Sequence, residues 1–211
     1  HNFGELRNYT NIPKGNTPIP DDMARMLIHG YYACISYMDA QVGIVMNALE
    51  KYGLKENTIV ILMGDHGWKL GDHSMWAKHT NFELDTRVPL IISGPGVKQN
   101  QITHAFAEYL DIYPTLAELA GLQPPDHLQG RSLVPVLQDP EMSVKDAAFS
   151  VWPSYRASRT DDDKLILGYS VRTEEFRYTE WIHIASDALL DRELYDHRQH
   201  SREDVNKIND P

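Results

Sequence analysis

The sequence predicts an α/β fold, with a mixed and largely parallel sheet flanked by helices, followed by a small antiparallel α+β unit. Three observations carry that prediction. A long stretch of helical periodicity precedes two short, continuous apolar runs, and a second helical segment follows them. The last third of the chain alternates in the manner of a hairpin. Residues 1–135 are expected to form the α/β portion and residues 136–211 the smaller unit.

Each element has its own signal. Residues 1–20 are rich in Asn, Gly and Pro and predict an irregular lead-in. Asp21 and Asp22 then offer negative charge at a helix start. Met23, Met26, Leu27, Tyr31, Ile35, Met38, Val42, Met46 and Leu49 recur mostly at three- and four-residue steps, predicting one helix over 22–52 that stops at Gly53. Cys34, on this helix, is expected to be a buried structural thiol. Thr58 to Met63 is an apolar run suited to a strand buried on both faces, ending in Gly64-Asp65-His66-Gly67. Val88 to Ser93 is a second such strand. A helix is predicted from about Tyr113, with Pro114 in its first turn and Gly121 at its end. Residues 123–140 are rich in Pro and Gly and predict a crossover. Leu165–Arg172 and Arg177–Ile182 predict a hairpin turning at Glu174-Glu175, and Glu193–Asp196 a short further strand.

Composition narrows the function. The chain has 211 residues, enough to bury a core, and its 42% hydrophobic content is that of a folded protein. A net charge of −10 argues against non-specific nucleic-acid binding, which needs surplus Lys and Arg. No apolar run approaches the about 20 residues that span a bilayer. One cysteine excludes an internal disulfide framework and a multi-cysteine zinc site. The first residues lack the basic and apolar regions of a signal peptide.

The chemistry-bearing residues concentrate after the first predicted strand. Gly64-Asp65-His66-Gly67-Trp68-Lys69-Leu70-Gly71-Asp72-His73 sets two carboxylates, two imidazoles and an ammonium among three glycines. In open α/β sheets ligands gather beyond the carboxyl ends of strands. Asp65 and His66 have the donor types for a divalent cation, oxygen favouring a hard ion such as calcium. On residue type alone, a turn-capping Asp65 and a surface His66 stand equally open. Lys78 offers a point charge to an anionic substrate, or is a solvated side chain beside Trp76.

Three segments resemble type I sulfatases. Ile59 to Gly67 is similar to the family's strand followed by D-[NH]-G. Asp111-Ile112-Tyr113-Pro114-Thr115-Leu116-Ala117-Glu118-Leu119-Ala120-Gly121 is similar to its D-I-x-P-T-L-x-x-L-A-G helix. Leu128-Gln129-Gly130-Arg131-Ser132-Leu133-Val134-Pro135-Val136-Leu137 is similar to its L-Q-G-x-S-L-x-P-L-L crossover. Together with Trp76-Ala77-Lys78 and Asn81-Phe82, the likeness runs from about residue 21 to about residue 196. Within the family it points toward members acting on the 2-O-sulfate of uronic acid residues in glycosaminoglycans.

The resemblance implies part of an alkaline-phosphatase-like fold and hydrolysis of sulfate esters. It implies that Asp65 and His66 hold calcium and that Lys78 is catalytic and contacts the sulfate. His73 is expected to act with Lys78, while Trp68, His79, Arg156 and Arg159 line the substrate pocket. The family nucleophile is a formylglycine made in a C/S-x-P-x-R motif. Cys34-Ile35-Ser36-Tyr37-Met38 does not match that motif, so the nucleophile is expected outside this chain, on an amino-terminal part of the same sulfatase acting as partner. The chain alone is then expected to be inactive. A sulfated saccharide is the expected substrate, and an exported location, periplasmic or lysosomal, is implied. A phosphate or phosphonate monoester hydrolase of the same superfamily and a non-catalytic anion-binding fragment are the alternatives.

Overall fold

The structure is a computed structural model that describes residues 4–15, 17–154, 164–198 and 202–210. A one-turn helix α1 (Gly4–Arg7) precedes the long helix α2 (Asp21–Lys51). Asp21 and Asp22 occupy the first turn of α2 and Lys51 the last, each complementing the helix dipole. Gly53 ends the element with φ 67, which glycine adopts without a Cβ clash.

The expected apolar stripe of α2 is present but mostly uncovered. No residue of α2 is buried, and Met26, Tyr37, Ile44 and Val45 are well exposed. Cys34 is exposed rather than buried, because no described element packs over its part of the helix. The amino-terminal turns find partners: Met23, Leu27 and Ile28 pack on a cluster of Leu6, Ile12 and Trp76, and Tyr31 stacks on Trp68.

Strand β1 (Val60–Met63) follows α2 and pairs with β4 (Leu90–Ser93). The fold is α/β as predicted, but this pair is antiparallel, with Met63 opposite Leu90 and Val60 opposite Ser93. The prediction of a largely parallel sheet is therefore corrected. The reason lies in the connection. Parallel strands need a crossover to the far end, usually through a helix, whereas residues 64–89 leave and return at one end of the pair. That excursion holds a short ribbon, β2 (Lys69–Leu70) with β3 (Trp76–Ala77), and the one-turn helix α3 (Glu83–Thr86). Neither β1 nor β4 is buried on both faces as expected, and Met63 and Ile91 are exposed.

Helix α4 (Ile112–Leu119) and helix α5 (Val134–Gln138) pack through buried polar anchors. Asp111, fully buried, accepts hydrogen bonds from Glu108 N (2.8 Å) and Arg131 N (2.8 Å) and pairs with Lys145 at 2.6 Å. Buried Thr115 accepts from Leu133 N at 2.8 Å. The Asp111 and Thr115 side chains thus tie the α4 segment to the following crossover.

The last unit is a four-stranded antiparallel sheet of β5 (Ala148–Pro153), β6 (Ile166–Arg172), β7 (Phe176–His183) and β8 (Ala188–Asp196), in chain order. The β6–β7 hairpin is as predicted, with Arg172 opposite Arg177. The last strand is longer than expected, and β5 was not expected. The sheet is joined to the excursion by Asn81 Nδ2, which donates to Gly168 O at 2.8 Å, and by a buried ion cluster around Arg177. Among the described residues, no helix is long and apolar enough to cross a membrane.

Candidate functional site

The loop after β1 is held before its chemistry begins. Gly64 N donates to Pro89 O at 3.0 Å, and the Tyr109 hydroxyl donates to Gly64 O. Partial burial, with the Asp65 charge nearby, raises the Tyr109 pKa, so the phenol remains a donor.

Asp65 and His66 then present one carboxylate and one imidazole side by side. Asp65 Oδ2 lies 3.5 Å from His66 Nε2, and the Asp65 side chain is 84% exposed. His66 Nδ1 lies 2.9 Å from Gly67 O. A carbonyl only accepts, so Nδ1 carries the hydrogen and Nε2 keeps a lone pair. This is the second contact that commonly orients a metal-ligating histidine. Two donors 3.5 Å apart can both reach a calcium ion at ligand distances of about 2.3–2.6 Å. The donor set fits a divalent cation, with further ligands required.

Trp68 links this pair to Lys78. Its ring centroid is 6.3 Å from that of His66, and Lys78 Nζ lies 5.4 Å from the ring. The sequence therefore brings Asp65, His66, Trp68 and Lys78 into one neighbourhood. His79 stacks on Trp152 at 4.7 Å with planes 7° apart. Glu5, from α1, lies 3.7 Å from Lys78 Nζ and 3.2 Å from His79 Nδ1.

The backbone here is unusual. Ala77 has φ 67 and His79 φ 83, so Lys78 is flanked by two left-handed residues that are not glycine. Such conformations cost about 1–3 kcal/mol each and persist only where surroundings over-determine them. His73 also has a left-handed backbone (φ 53). It stacks on Phe82 at 4.6 Å and faces Asp204 at 3.9 Å, contacts with the neighbouring core and the carboxy-terminal segment. Arg156 and Arg159 lie outside the described residues. Arg172 is committed to an ion pair, its Nε donating to Glu83 Oε2 at 3.2 Å.

Sequence reasoning did not single out Glu5, Asp85, Tyr109 or Trp152, and it left Lys69 without a role. Glu5, Tyr109 and Trp152 meet the site across long sequence separations, which local pattern does not encode, while Lys69 and Asp85 lie near it in the chain but show their pairing only in the fold. Glu83, His197 and Glu203 also approach within metal-ligating range of one another. Arg177 donates to Glu83 Oε2 and to Glu203 Oε1, both at 2.6 Å, so a guanidinium already neutralises those carboxylates.

Gly67 is a steric keystone. A Cβ there would sit 1.8 Å from Leu84 O, and Gly67 N donates to Asp85 O at 2.8 Å. Gly67→Ala is expected to destabilise the fold by about 1–3 kcal/mol through forced overpacking, read as a lowered melting temperature. A variant that melts with the parent would contradict this contact.

A paired carboxylate and imidazole beyond a strand end, with an ammonium across an indole ring, have the donor types to take a divalent cation and an anion together. Family comparison agrees with that class. The "Sulfatase" family model matches residues 7–122, and "N-sulphoglucosamine sulphohydrolase, C-terminal" matches residues 71–211. The chain belongs to the sulfatase family. It is 30% identical to iduronate 2-sulfatase of Mus musculus, over 90% of this chain and 47% of that protein. It is 32% identical to N-acetylglucosamine-6-O-sulfatase of Bacteroides thetaiotaomicron, over 82% of this chain and 30% of that protein. The phosphonate monoester hydrolase of Silicibacter pomeroyi superposes with a TM-score of 0.79 at 25% identity, covering 93% of this chain and 39% of that one. The chain thus spans less than half the length of these relatives.

Proposed function

We propose that this chain is the carboxy-terminal part of an enzyme that hydrolyses sulfate esters, acting on the 2-O-sulfate of uronic acid residues in glycosaminoglycans. The observation that carries the reading is the convergence of His66 and Lys78 on the Trp68 ring, with Asp65 beside His66. Asp65 and His66 hold calcium, which when bound supplies charge to the sulfuryl oxygens as a Lewis acid. Lys78 opposes the negative charge on those oxygens from the other side. Its ammonium is a preorganised cation, which lowers the barrier because no solvent need reorient. The Trp68 ring faces the Lys78 ammonium and orients it. His79, stacked on Trp152, lines the substrate side. The similarity to iduronate 2-sulfatase supports the uronate substrate.

The nucleophile and remaining metal ligands belong to an amino-terminal part of the same sulfatase. Two facts support that partner: the uncovered apolar residues of α2 and β4, and a chain less than half as long as its relatives. Exposed apolar surface of this extent marks an interaction face. The test is direct. The 211-residue chain alone is expected to release no product from a chromogenic sulfate ester, and coexpression with the amino-terminal part is expected to restore turnover. Turnover by the chain alone that survives Cys34→Ala would overturn the proposal. The likeness to a phosphonate monoester hydrolase supports a second reading. A completed enzyme whose kcat/KM favours a phosphonate monoester over the sulfate would select it.

A further inference from the structure

Two short stretches supply the proposed site, the 65–68 loop and the 78–79 turn, and both are tied to one residue, Asp85. Gly67 N donates to the Asp85 carbonyl oxygen at 2.8 Å. The Asp85 side chain takes the other stretch: its Oδ2 accepts from Thr80 N at 2.7 Å and from Thr80 Oγ1. Lys69 completes the knot. Its Nζ bonds Asp85 Oδ2 and donates to Thr80 Oγ1 at 3.2 Å. The Lys69 backbone is in register with Ala77, on the other side of Lys78. Lys78 is thus gripped from both flanks by one lysine, through the ladder at Ala77 and through the side chain at Thr80.

We infer that Lys69 and Asp85 form a positioning pair that fixes Lys78 relative to the Asp65-His66 loop. The inference rests on the reading of Lys78 as the sulfate-contacting cation. The pair is out of solvent, with side-chain exposures of 0% and 3%. A buried ion pair is weak as a source of stability, since apolar replacements often serve as well. Its value here is geometric. The left-handed turns at Ala77 and His79 need external restraint, and Thr80 is the next residue along. Burial pulls the Lys69 pKa down, while its hydrogen bond to Asp85 opposes that shift, in keeping with a pair whose members depend on each other.

The test uses the complete enzyme with a chromogenic sulfate ester, measuring melting temperature, kcat and KM for four variants. Lys69→Met leaves Asp85 buried and unpaired, so it is expected to lose both stability and rate. Lys69→Met/Asp85→Asn removes both charges, and is expected to regain the parent melting temperature while kcat stays about tenfold low with KM little changed, since small misplacements of a reacting group carry large rate costs. Thr80→Val removes a hydrogen bond from each member of the buried pair, so it is expected to lower the melting temperature modestly and to lower kcat as well, with KM little changed. A double variant that regains the parent kcat along with its stability would make the pair structural only and overturn the inference. Lys78→Ala separates the two levels. If Lys78→Ala keeps the parent rate, the sulfate-site reading fails; if it loses rate while the double variant and Thr80→Val keep theirs, only the positioning pair fails.

Discussion

In the enzyme completed by its amino-terminal part, Lys78→Ala is expected to lower kcat for a sulfate ester by about 10²–10³, the usual cost of deleting one preorganised charge-stabilising group. The residue's surroundings support an effect of that size. Lys78 stands over the Trp68 face with only 24% of its side chain exposed, so solvent only partly screens its charge. Glu5, 3.7 Å away, is its resting counter-ion, and a substrate anion competes with that carboxylate for the same ammonium. Asp65→Ala acts by a different route. It removes one of a metal's few charged ligands, when calcium usually takes about 6–8 oxygens, and turnover is expected to vanish with it. A calcium titration separates the two: Lys78→Ala keeps the parent's calcium requirement at reduced rate, whereas Asp65→Ala shifts or abolishes it. Equal rates in Lys78→Ala and the parent would remove Lys78 from the site.

What was legible in the sequence is what short-range physics writes there. Helix α2 could be read because its apolar residues keep helical steps between Asp21 and Gly53, and the β6–β7 hairpin because alternation flanks Glu174-Glu175. Strand β5 was missed for a physical reason. Two of its apolar residues face outward, Phe149 at 66% and Val151 at 50% exposure, while polar Ser150 between them bonds Asn81, so that stretch of the pattern is inverted. The antiparallel pairing of β1 and β4 was hidden because a buried-strand composition says nothing of direction. At the site, Asp65, His66 and Lys78 stand in short motifs, and the resemblance named them. Their supports did not stand out, because Glu5 and Trp152 reach the site across separations that no periodicity spans, and Asp85, though near in sequence, sits in a short segment whose pattern does not reveal a buried partner. The contacts of His73 with Phe82 and Asp204 were likewise not encoded by its place in the loop motif.

The same logic isolates the joint between the two units. Arg177→Met, in the completed enzyme, is expected to cost about 3–5 kcal/mol, because it removes the guanidinium shared by two buried carboxylates, leaving Glu83 with Arg172 and Glu203 with His197 as their nearest remaining partners. For a unit of this size that is a fall of roughly 6–20 °C in melting temperature. Its pH dependence follows from Glu83. Burial pushes the Glu83 pKa up, but the Arg177 guanidinium outweighs it, so the net pKa lies below the ordinary 4.5. A carboxylate with a depressed folded pKa contributes stability that is present above its unfolded pKa and is lost as pH falls through the folded one. The parent is therefore expected to lose this contribution on acidification below about pH 4.5. In Arg177→Met the burial effect is less opposed and the Glu83 pKa rises, so the acid-dependent loss from this group shrinks. Melting curves from pH 7 down to pH 3 should converge at the acid end, the parent falling faster than the variant. A constant gap across that range would mean that Arg177 stabilises by packing alone, and that Glu83 is not the group whose charge holds the excursion to the carboxy-terminal sheet.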